Sequence, residues 1–90
     1  MTTTHMSAKE AIAYLTTRGF QPRCTGSGLW SSFAHVHESG SARVVVVDAE
    51  AACFDVFAYT RDRRRCVDWE VRLTRAPLPV FAATVTAAID

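Results

Sequence analysis

Apolar positions change their spacing along this 90-residue chain, and the changes mark out its elements. Near the N-terminus Ala8, Ile12 and Leu15, joined by Ala11, recur at the interval of one helix face. Just ahead of them, Ser7-Ala8-Lys9-Glu10 is a capping box, in which the Ser7 hydroxyl accepts from the Glu10 amide and Glu10 reaches back. Met6 is placed to staple onto Ala11. Gly19 supplies the left-handed residue that stops a helix, with Phe20 folding back on the last turn. The pattern predicts a helix of about three turns over 7–18.

From residue 29 the spacing turns to two. Strands are predicted over 29–37, 42–48, 53–59 and 65–74, and a short edge strand over 20–24 fits between the helix and the loop residues Thr25-Gly26-Ser27-Gly28. The last strand is the clearest. Val67, Trp69, Val71 and Leu73 take one face, and Asp68, Glu70, Arg72 and Thr74 the other. In 53–59, turning Phe54, Val56 and Ala58 inward turns Cys53, Asp55, Phe57 and Tyr59 outward. The run Val44-Val45-Val46-Val47 puts two valines on each face. Links at 38–41, 49–52 and 60–64 suit antiparallel neighbours and are too short for a parallel crossover. Ala76-Pro77-Leu78-Pro79 then opens a closing helix, along which Leu78, Phe81, Ala82, Val85 and Ile89 repeat.

The expected fold is α+β: a four-stranded antiparallel meander, five-stranded if 20–24 pairs, with N-terminal and C-terminal helices in the order α-β-β-β-β-α. All of 1–90 is expected as one domain, with 1–6 a flexible tail. Two short helices cover one face of such a sheet. The other face is left with Phe57, Tyr59, two valines and a polar margin, and an apolar patch of that kind usually marks a binding surface. The structural alternative is a helix swung further round, or a different register.

Composition changes this picture little. A chain that is 49% hydrophobic and 21% charged is globular, and a net charge of +1 provides no overall field toward nucleic acid or an acidic membrane. Lys9 is the only lysine. The weight of Arg, Ala, Val and Thr fits a GC-rich genome. No apolar run reaches the roughly 18–20 residues of a membrane span, and 1–6 lacks the parts of a signal peptide. His5-Met6 reads as a cloning junction, with translation starting at Met6. Cys24, Cys53 and Cys66 have no paired spacing, which points to reduced thiols in a cytoplasmic protein.

Candidate chemistry is sparse. His35 and His37 share a strand face, and Cys24, Cys53 or Cys66 would have to complete any zinc site; two alternating polar residues on a strand are the plainer account. Cys66 beside Arg63, Arg64 and Arg65 suits a stabilised thiolate, with His35 or His37 as a base, but its place at a strand start fits a bystander thiol. Thr25-Gly26-Ser27-Gly28 lacks the lysine and context of a phosphate loop, and no nucleophile elbow exists. No catalytic residue, metal or cofactor is expected. The dense charge cluster is Arg61-Asp62-Arg63-Arg64-Arg65. Next to Phe57 and Tyr59, and extended by Arg43, Arg72 and Arg75, it can hold phosphates while the rings stack bases. Asp55, Asp62, Asp68 and Glu70 weaken such a track.

The stretch Trp69-Glu70-Val71-Arg72-Leu73-Thr74-Arg75-Ala76-Pro77 with the Ala-rich 80–89 run is similar to the ending of small actinobacterial and actinophage domains of unknown function. In these a tryptophan-bearing meander strand leads into a Pro-started closing helix, and the opening helix with Gly19-Phe20 fits the same layout. The resemblance implies an accessory protein of phage or plasmid type and transfers no site residue. The resulting expectation is a non-enzymatic interaction domain. It would self-associate or dock on a partner protein through Phe57, Tyr59, Arg61, Arg63, Arg64, Arg65 and Arg72, with nucleic-acid binding as the alternative and no membrane contact.

Overall fold

The computed structural model describes residues 5–25, 32–60 and 66–89. Its elements are α1 (Ala8–Thr17), β1 (Phe20–Thr25), β2 (Ser32–His37), β3 (Ala42–Asp48), β4 (Cys53–Tyr59), β5 (Val67–Thr74) and α2 (Leu78–Ile89). The strands form one five-stranded antiparallel sheet in sequence order. The order is therefore α-β-β-β-β-β-α, the five-stranded form of the expected fold.

Local chemistry sets the ends of α1. The Ser7 hydroxyl accepts from the Glu10 N–H at 3.1 Å, and Glu10 Oε1 accepts from the Ser7 N–H at 3.5 Å, closing the capping box. At the other end Gly19 takes φ +87°, a conformation that a side chain would strain, and its carbonyl accepts from the Glu38 N–H at 3.0 Å. The turn thus delivers Phe20 straight into β1. Met6 is 2% exposed and its N–H donates to the Ala76 carbonyl, so the chain is anchored in the core just before the cap.

Both helices lie on the same face. Ala11 and Leu15 of α1 and Phe81, Val85 and Ala88 of α2 form one core with Phe20, Ala42, Val44, Phe54, Val56 and Ala58. Phe81 is central. Its ring centroid is 5.4 Å from Phe54 and 6.1 Å, edge-on, from Tyr14. The inward set expected on 53–59 is the set observed.

Strict alternation fails in two places. The register shifts between Val46 and Asp48 on β3, and between Ala58 and Tyr59 on β4, each the mark of a bulge. The second shift corrects the reading of the last strand. Val67 pairs with Tyr59, where unbroken register from Ala58↔Trp69 would set it opposite Thr60, so it leaves the face of Trp69, Val71 and Leu73 and is 49% exposed. Among the described residues no helix is long and apolar enough to cross a membrane.

Candidate interaction surface

On the face away from the helices, the pairing registers align residues from separate strands into rows. One row runs Gln21, Val36, Arg43, Phe57, Glu70, and the next runs Arg23, Ala34, Val45, Asp55, Arg72. Cross-strand partners of this kind lie within side-chain contact. Phe57, Tyr59 and Arg72 therefore share one face, as expected. Arg61, Arg63, Arg64 and Arg65 lie outside the described residues, as do Leu29 and Trp30 of the expected second strand.

This face is polar and apolar at once, and its side chains half-bury one another. The guanidinium of Arg43 lies over two rings, 5.1 Å from the centroid of Phe57 and 5.9 Å from that of Tyr59. Such contacts contribute about 0.5–1 kcal/mol when exposed and about 2 when desolvated. Arg43 Nε is buried there without a hydrogen-bond partner among the described residues. Beside it, Val36, Gly40, Arg43 and Tyr59 line a hollow of about 220 Å³. A second hollow of about 510 Å³ adjoins it, sharing Val36 and Gly40 and lined also by Gln21, Arg23 and His37.

Arg72 is committed elsewhere. Its Nε and Nη2 donate to the two oxygens of Asp55 at 2.8 and 3.1 Å, a bidentate pair. The hydrogen bond, and then the charge of Asp55, raise the Arg72 pKa further above its ordinary value. Asp55 is 7% exposed, so the pair keeps a nearly buried carboxylate compensated. Arg72 and Arg43 are thus not interchangeable members of one basic patch. The first is neutralised by Asp55, and the second lies over two rings. Arg75 is exposed beyond the end of β5, at φ +55°.

The other candidate groups do not converge. His35 and His37 share a face, and it is the helix side, since His35 pairs with Val44. His35 is 4% exposed, its Nδ1 has no partner among the described residues, and burial lowers its pKa. His37 packs edge-on against Phe20 at 5.1 Å, and its Nδ1 is 2.7 Å from the Ser39 hydroxyl. Cys53 is on the opposite face, where the Thr74 hydroxyl donates to its sulfur at 3.4 Å. Cys66 is exposed just before β5, with the width of β3 and β4 between it and β2, about 14 Å at the usual strand spacing. The side chain of Cys24 lies outside the described residues. No group of three potential metal ligands occurs among the described residues.

Sequence reasoning named Phe57 and Tyr59 but placed Arg43 only at the margin of a phosphate track. The missing signal was register: only the pairing Arg43↔Phe57 brings the guanidinium onto the rings. No family model, curated protein or solved structure matches the chain.

Proposed function

We propose that this chain is a non-enzymatic protein-interaction domain whose open sheet face holds a carboxylate-bearing, partly apolar segment of another protein. The observation that carries the reading is Arg43. It lies over Phe57 and Tyr59, has a buried Nε with no hydrogen-bond partner among the described residues, and borders a hollow between Val36 and Tyr59. A carboxylate in that hollow would meet a pre-positioned cation, while apolar neighbours would cover Val45 and Phe57. The resemblance of the closing strand and helix, and the lysine-poor composition, support an accessory protein of phage or mobile-element type. The free thiols of Cys53 and Cys66 fit a cytoplasmic setting.

Nucleic acid is the competing occupant. Stacking needs open ring faces, and Arg43 already covers Phe57 and Tyr59, which favours the protein reading.

A random peptide library selected on the immobilised chain tests the proposal. Enriched peptides should carry Asp or Glu beside apolar residues. Their amide shift changes should map to Val36, Arg43, Val45, Phe57 and Tyr59, and Arg43→Ala should weaken binding about tenfold. Peptides without acidic residues, or shifts on the helix side, would contradict it. So would salt-sensitive binding of single-stranded DNA or RNA at these same residues.

A further inference from the structure

The two edges of the sheet are built differently. Glu38 N–H donates to the Gly19 carbonyl, and alternation from that pair turns the backbone of Phe20 and Pro22 outward along β1. The outer edge of β1 therefore carries a proline, which has no donor to offer an incoming strand. On β5 the Arg75 N–H donates to the Ala52 carbonyl, so Leu73 and Val71 point their amides at β4, and Glu70, Arg72 and Thr74 point theirs at the free edge. No described strand pairs with that edge, which has no proline across its eight residues.

Its side chains match their own reverse. When β5 is laid antiparallel on a second β5 with Val71 opposite Val71, Glu70 meets Arg72 on the open face, twice by symmetry. On the helix face Trp69 meets Leu73, also twice. Each Glu70–Arg72 position is one whose backbone groups face outward, so each pair can exchange both backbone hydrogen bonds. The Val71 pair then occupies a non-hydrogen-bonded position, where side chains approach most closely. Other registers are worse. A slide of two residues sets Glu70 on Glu70 or Arg72 on Arg72, and a slide of one turns apolar side chains onto the polar face. Arg72 keeps Nη1 for the incoming Glu70 while Nε and Nη2 stay on Asp55. Val71 is 39% exposed because α2 lies mainly over β4 and β3 and covers the helix side of β5 only in part, with Trp69 and Leu73 half-buried against the core.

We infer that a second copy of this chain pairs along β5, joining two five-stranded sheets into one about a two-fold axis at Val71. The pairing uses the edge of the sheet, so it stands or falls separately from the use of the open face. Its effect would be to place two open faces side by side.

Sedimentation velocity across a concentration series should show a monomer–dimer equilibrium. Glu70→Arg, an exposed change that sets Arg on Arg72, should weaken it about tenfold or more. Within a Cys66→Ser background, mild oxidation should cross-link Val71→Cys into a disulfide dimer far faster than Asp68→Cys, which the register places opposite Thr74. A wild-type monomer at every concentration would overturn the inference. Equal cross-linking of the two cysteine variants, or a dimer indifferent to Glu70→Arg, would overturn it too.

Discussion

The two faces of the sheet draw on the same strands and reach opposite solutions. On the helix face, Val44, Phe54 and Val56 are fully buried in an apolar core with Phe81, Val85 and Leu15. On the open face, the intervening residues of those strands are Arg43, Val45, Asp55 and Phe57, sheltered by the stacking of Arg43 on Phe57 and by the ion pair of Asp55 with Arg72. The difference separates stability from recognition. The first face holds the fold together by excluded water. The second keeps polar and aromatic groups positioned at modest cost to the fold, as the proposed partner binding would require.

The largest effect should come from opening the covered face. Phe81→Ala removes the ring that bridges Phe54 and Tyr14, and should cost about 3–5 kcal/mol in urea denaturation. In a domain this small that is most of the stability. The ion pair comes next. Arg72→Ala leaves the Asp55 carboxylate nearly buried and alone, so its melting temperature should fall below that of the double variant Asp55→Ala with Arg72→Ala. Equal melting temperatures would show that the lone carboxylate carries no burial penalty.

His35 sharpens the comparison because it is polar on the apolar side. Its folded pKa is lowered by burial, so the unfolded chain takes up the proton more readily. Its contribution to stability is complete above the unfolded value near pH 6.5 and is lost as pH falls through the folded value. His35→Leu should remove that acid sensitivity and relieve an unpartnered Nδ1, a gain on the order of 1 kcal/mol, larger at pH 5 than at pH 8. The smallest change in stability should be that of Phe57→Ala on the open face. About 1 kcal/mol or less is expected, with loss of peptide binding.

Much of this fold is legible in the chain because local and long-range preferences agree. Ser7 and Glu10 close their box, Gly19 ends α1, and β3 and β4 occupy 42–48 and 53–59 as alternation predicts. β1 was harder to read because Pro22 argues against a strand. The proline sits at an outward position on an edge, where no ladder bond is lost. The bulges left no trace in the pattern, so Val67 was assigned to the wrong neighbours. The aromatic half of the surface followed from β4 alone. Arg43 did not, because its place on Phe57 and Tyr59 depends on how two strands are registered.

Hydroxyl-radical footprinting of the dilute free protein, read residue by residue, tests the asymmetry of the sheet most directly. Phe57 and Tyr59 should be oxidised many times faster than Phe54 and Phe81, and Arg43→Ala should raise their rates further by uncovering the rings. Protection of Phe57 and Tyr59 equal to that of Phe54 would mean that the second face is already covered within one chain, which contradicts the account.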